Sequence, residues 1–247
     1  MSRHPTVSPP AAAPRADRPP PWRSGLDAAR ANALPGAVLS VFAVGLLLSY
    51  WGVPAVTAAL DEVAAWRGRL ADAGVGWAFA AASTALFGGA IPWVVQKLRP
   101  SMRGETPWSH LWYLCAFWAL KGVEIDLLYR AQAAVFGGGH DPGTIAAKVA
   151  FDMGVYCPLW AVPGTVAVYA FKDRGFSLDG VALKKFRGWY VDDVVPVVLS
   201  NWAVWVPAVC VIYALPLALQ LPVQNLVLCF WSLLLVWQVR ASRGGSS

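Results

Sequence analysis

The sequence predicts an all-α fold, a polytopic transmembrane helical bundle, and three observations point to it. Of 247 residues, 57% are hydrophobic and only 14% charged, against about 25% charged in ordinary soluble domains. Apolar windows recur along most of the chain, each close to the ~20 residues that cross a hydrocarbon layer about 30 Å thick. Lys and Arg gather in alternate connections between those windows, as membrane topology requires. The formal net charge of +6 lies between windows instead of forming one stripe interleaved with exposed aromatics. That pattern argues against a nucleic-acid partner and makes the lipid bilayer the first partner.

From Met1 to about Asn32 the chain is rich in Pro, Ala and Arg, with prolines at 19 to 21. It is expected as a disordered tail that holds no helix before the membrane. An organellar transit peptide is the rival reading, because Arg3, Arg15, Arg18 and Arg23 outnumber the acids there. The prolines and Asp17 count against an amphipathic targeting helix. A single transmembrane domain over 33–239 follows, then a short polar tail over 240–247.

Six apolar spans are expected, at 34–55, 75–98, 108–135, 144–171, 192–216 and 221–239. The last two part at a proline-marked turn, because residues 194–239 as one helix would be about 69 Å long at ~1.5 Å per residue. The connections test the count. Arg15, Arg18, Arg23 and Arg30 precede the first span; Lys97, Arg99 and Arg103 follow the second; Lys172, Arg174, Lys184, Lys185 and Arg187 follow the fourth; Arg240 and Arg243 end the chain. The alternate links are poorer, with Asp61, Glu62 and Asp72 offsetting Arg67 and Arg69, and one acid in G-G-G-H-D-P-G at 137–143. Both termini are therefore expected on the positive, cytoplasmic or matrix-like side.

The third span is the most polar, with Lys121, Glu124, Asp126 and Arg130. An ionisable group at membrane depth costs at least about 2.5 kcal/mol and so faces protein, water or another charge. Lys121 and Glu124 share a face at i, i+3, and Asp126 and Arg130 share the nearly opposite one at i, i+4. Two readings stay open: one face lines a polar pathway, or both pairs are structural. The fourth span repeats the device with Lys148 and Asp152 at i, i+4, where an ion pair is expected in preference to a proton relay.

Pro158 and Pro163 fall within the fourth span, and Pro196, Pro207 and Pro216 punctuate the fifth. Each interior proline frees a carbonyl that neighbouring helices or water must satisfy. Kinked helices around a polar interior and helices bent only for packing are both open. Close helix approach is expected at G-G-A and A-A-A of the second span. In the fifth span Trp202 and Trp205 are expected just below the headgroups, with Asn201 near enough to brace Trp205.

No catalytic constellation is present. His4, His110 and His140 are far apart, and Cys115, Cys157, Cys210 and Cys229 sit singly in apolar windows as reduced thiols. No metal site, cofactor or enzymatic activity is expected.

From Thr144 onward the chain resembles the Mpv17/PMP22 family of small integral membrane proteins. Lys148, Asp152, Tyr156 and Pro158 stand in that family's Lys, Asp, aromatic and Pro pattern. Asn201, Trp202, Trp205, Pro207, Pro216, Trp231 and Trp237 follow its C-terminal signature. L-Y-R at 128–130 is similar to its W-Y-R segment, and Gln96 ends a span as in its early motif. The resemblance covers about residues 120–239. The departures are definite: Val206 separates Trp205 from Pro207, Val211 and Ile212 replace Asn-Phe, and Gln220 stands where an arginine belongs. The resemblance implies a bundle usually counted as four spans and a channel-like or permeability-modulating role in membrane and organelle homeostasis. It further implies the mitochondrial inner or the peroxisomal membrane; without it, the plasma membrane is the default. The alternative is a non-conducting structural or assembly subunit. A homo-oligomer and a larger membrane complex are both open as assemblies.

Overall fold

The computed structural model of the protein describes residues 20–100, 104, 106–177 and 186–244, with side chains to 233. The described residues form helices and connections, with no strand among them. Eight helices follow in order: α1 Pro21–Ala31, α2 Ala33–Gly52, α3 Pro54–Asp72, α4 Gly76–Leu98, α5 Trp108–Phe136, α6 Pro142–Asp173, α7 Phe186–Tyr213 and α8 Leu217–Gly244.

The stops are chemical. Pro21, Pro54 and Pro142 occupy first helical positions, where a missing N–H costs nothing. Gly74 (φ 73°) and Gly137 (φ 95°) follow α3 and α5 in backbone conformations that disfavour a Cβ. Asp141 caps α6, accepting from the Thr144 amide at 3.0 Å. Hydrogen bonds from Thr144, its side chain first and then its amide, hold the Asp141 carboxyl below its ordinary value.

Each of the six expected windows falls on a helix, but among the described residues only α2, α4, α6 and α7 are long and apolar enough to cross a membrane. The expected six apolar spans thus become four by that measure. The 29-residue α5 is long enough but carries four charges, and α8 is apolar over the stretch whose side chains are described, Leu217–Leu233. The described end of the expected disordered tail also differs: α1 is helical and packs on α7. Proline at its first turn starts this helix, and Gly25 lets it lie against Pro196 and Leu199, where an added Cβ would stand 2.7 Å from the Leu199 side chain. Residues 1–19 lie outside the described residues.

The centre of the fold is the α7–α8 hairpin, whose turn at Ala214–Pro216 buries Tyr213 and Leu215 completely. Helix α8 touches α2, α3, α4, α5 and α7. Small residues set the α4–α5 contact. Ala80, Thr84 and Gly88 repeat every four residues along α4, and a Cβ on Gly122 of α5 would lie 2.2 Å from the Ala80 carbonyl oxygen. This is the close approach expected of the second span.

Helix α5 is amphipathic in the opposite sense to a water-soluble helix. Its buried residues are Leu114, Lys121, Gly122, Asp126, Tyr129 and Gln132. Trp112, Leu120, Leu127 and Val135 are exposed, at 71%, 73%, 60% and 74%. Helix α8 likewise buries Gln220, Gln224 and Asn225. Polar side chains turned inward and apolar ones outward suit a hydrocarbon surround.

Candidate functional site

The charged residues of α5 divide between two networks. Asp126 is gripped twice, by Arg67 Nη2 at 2.6 Å and by Arg130 Nε at 2.8 Å. Arg67 comes from α3, and its other terminal nitrogen donates to the carbonyl of Ala218. That carbonyl lies four residues before Pro222, whose ring supplies no N–H to close the helical bond. One guanidinium therefore neutralises a buried carboxylate and satisfies an orphaned carbonyl, tying α3, α5 and α8 together.

On the other edge of α5, Lys121 Nζ donates to Glu124 Oε1 at 2.7 Å, and the Tyr156 hydroxyl donates to the same oxygen. Lys121 Nζ also lies 5.6 Å from the Tyr156 ring centroid. Both expected pairs of α5 form, each extended by a partner from another helix.

The expected Lys148–Asp152 pair does not form. The Tyr213 hydroxyl donates to Asp152 Oδ2 at 2.6 Å and accepts from Gln132 Nε2 at 3.0 Å. Lys148, 2% exposed, has its ammonium 6.0 Å from the Tyr213 ring centroid and makes no ion pair among the described residues. The side chain that separates them belongs to α7, 61 residues beyond Asp152. Beside this group Tyr129 donates to Gln224 Oε1 at 3.2 Å, and the buried Gln132 Oε1 has no hydrogen-bond partner among the described residues.

The α6 prolines lie where the helix widens to five-residue hydrogen bonding. Over Asp152–Ala161 the backbone is π-helical, and the Val162 N–H reaches the Cys157 carbonyl. In this geometry Pro158 leaves the Met153 carbonyl free and Pro163 leaves its counterpart at Pro158 free. Both are taken up from α7: Trp202 Nε1 donates to Met153 O at 2.9 Å and the Tyr190 hydroxyl to Pro158 O at 2.9 Å. The widened turns Ala85–Ala90 and Tyr190–Val194 likewise run directly into the helical segments that open with Pro92 and Pro196.

Trp202 is thus a hydrogen-bonding partner of α6 as well as an aromatic near the surface. Asn201 does not brace Trp205; its amide donates to Cys157 Sγ at 3.3 Å. Pro207 lies inside α7, Pro216 marks the α7–α8 turn, and Trp231 lines the cavity described next. Trp237 lies on α8, and its side chain is outside the described residues.

Between α1, α5, α6, α7 and α8 lies a half-open cavity of about 480 Å³. Its lining runs along α5 from Trp118 to Tyr129 and along antiparallel α6 from Tyr169 back to Asp152, so it is elongated with the helices. Trp118 and Tyr169 meet at one end, Nε1 to hydroxyl 3.4 Å. Asp152, Tyr129 and Gln224 close the other. Most of the wall is apolar; Lys121, Asp152 and Asn201 contribute polar groups from three helices. Glu124, Asp126, Arg130 and Lys148 are not on it. No group of three or more His, Cys, Asp or Glu side chains able to hold a metal occurs among the described residues.

Sequence reasoning missed Arg67, Tyr213, Gln132, Gln224 and Asn225. The Q-L-P-V-Q-N run at 220–225 places three amides around a proline in an apolar helix, a signal of buried polar contacts. Asn225 meets it fully, accepting from Thr84 Oγ1 at 2.9 Å and donating to Ser83 Oγ at 3.1 Å.

Fold and site together define an all-helical protein with four apolar helices compatible with an integral membrane protein, enclosing a mostly apolar cavity onto which a few polar side chains open. Comparisons with protein-family models, with curated proteins and with solved structures return no match.

Proposed function

We propose that the protein is a channel-like or permeability-modulating integral membrane protein of the Mpv17/PMP22 type, acting in membrane or organelle homeostasis through its internal cavity. The observation that carries this reading is the convergence of Lys121, Asp152 and Asn201, from three helices, on one half-open space of about 480 Å³. Such groups are costly in hydrocarbon, and a cavity is where they are used.

In this proposal α5 and α8 cross the bilayer with the four apolar helices, giving six crossings. The inward charges and outward aliphatics of α5 support that count. The even number and the Arg-rich connections support an orientation with both termini on the positive side. The family resemblance favours the mitochondrial inner or the peroxisomal membrane over the plasma membrane.

The non-conducting alternative draws on a separate observation. Asp126, Arg67 and Arg130 hold one another off the cavity wall, so half of the charge on α5 serves cohesion. Reconstitution into planar bilayers separates the two. A pore predicts reproducible conductance altered by Asp152→Asn, and by Glu124→Gln through release of Lys121. A silent bilayer, with partner subunits co-purifying from native membranes, supports an assembly role.

A further inference from the structure

The cavity wall is chemically one-sided. Lys121 is neutralised by Glu124 at 2.7 Å. Asp152, 5% exposed, accepts only the Tyr213 hydroxyl, through Oδ2. Its second oxygen takes no hydrogen bond and neither oxygen has an ion pair among the described residues, although the residue lines the cavity. A buried carboxylate is ordinarily paired; this one lines an open space instead. Lys148 does not fill it, since its ammonium lies against the ring of Tyr213 and off the cavity wall. The wall of the same cavity is rich in aromatic side chains, Tyr129 at the Asp152 end, Trp118 at the other, and Tyr156 and Trp205. Aromatic faces attract cations, most strongly when both are desolvated.

We infer that the cavity is a binding site for a hydrophobic organic monocation, an ammonium or phosphonium whose charge pairs with Asp152 and whose apolar arms lie on the aromatic wall. The volume fits, since pockets for small organic ligands run about 300–1,000 Å³. An inorganic cation is held by several converging oxygens, carboxylates foremost, and this wall carries a single carboxylate, its other polar groups being amides, hydroxyls and the Lys121 ammonium. The inference rests on reading the cavity as a solute site, and it names the class of solute.

The test uses the full chain in nanodiscs of uncharged lipid, with tetraphenylphosphonium as probe, tetraphenylborate as its anionic counterpart of similar shape, and empty nanodiscs subtracted. Saturable phosphonium binding, about one per chain, is expected, with clear preference over the borate. Asp152→Asn should weaken it roughly 30-fold or more, the loss typical of removing one partner of a buried charge pair. Thr165→Trp, which fills the wall without touching the carboxylate, should also weaken it, so the test survives if Asp152→Asn does not fold. Equal binding of the borate, no binding above empty discs, or a folded variant of either kind that binds like the parent would overturn the inference. Conductance without phosphonium binding would sink the inference alone; phosphonium binding in a silent bilayer would keep it and sink the pore.

Discussion

Arg67 and Arg130 both bind Asp126, yet their surroundings give them different weights. The Arg67 side chain is 7% exposed and also serves the carbonyl freed by Pro222, whereas Arg130 is 47% exposed. Arg67→Met should therefore cost about 1–3 kcal/mol, the range for orphaning buried polar groups. Arg130→Met should cost under about 1 kcal/mol, as for other solvent-screened pairs. Unfolding in mixed micelles measures both, and equal losses would contradict the assignment. Tyr213→Phe removes the hydroxyl shared by Asp152 and Gln132. It should cost about 0.6–1.7 kcal/mol, the span seen for hydrogen bonds between membrane helices.

The pairs within α5 were legible because both partners lie one turn apart on one helix. Arg67 was not, since it stands 59 residues from Asp126 in a stretch that reads as a loop offsetting its own acids. Lys148 and Asp152 show the opposite error. Spacing offered a pair, but Tyr213 from a distant helix competes for the carboxylate, and one-dimensional periodicity carries no record of that competitor.

At the scale of the helix, small residues and prolines act through backbone geometry. Gly122→Ala places a Cβ against the Ala80 carbonyl and should force α4 and α5 apart, lowering the yield of monodisperse protein. Gly45→Ala meets nothing within 4 Å and should leave the yield unchanged. Equal yields from both would dismiss the close contact. Pro158→Ala restores an N–H that can close onto α6's own backbone, releasing Trp202 from Met153. The prediction is a shift in Trp202 fluorescence, read in a background where other tryptophans are replaced; an unchanged spectrum would count against the freed-carbonyl account. The positions of α2 and of α4 to α8 were readable from hydropathy, whereas α1 and most of α3 fell in stretches read as tail and connection. The widened turns were not, although prolines at 92, 158, 163 and 196 mark their neighbourhood, because a proline says that a bond is missing and not how the helix accommodates the loss.

The whole molecule turns its chemistry inward. Charged and amide side chains of α3, α5, α6 and α8 meet one another around the α7–α8 hairpin, and leucine, valine and tryptophan are prominent on the exposed faces of α2, α4, α5 and α6. Composition announced this class of fold, and the inward face of α5 could be placed by helical spacing. The cavity could not, because it is assembled from five helices whose mutual rotation no local pattern records. The central claim of the proposal is that α5, for all its charge, lies in the bilayer with its polar face turned into the bundle. Its most direct test is electron paramagnetic resonance of single spin labels at Leu120, Leu127 and Gln132 in the reconstituted protein, comparing collisions with lipid-soluble oxygen and a water-soluble nickel chelate. The structure predicts strong oxygen and weak chelate access at Leu120 and Leu127, with little of either at Gln132; chelate access at Leu120 and Leu127 equal to that of a label in water would contradict it.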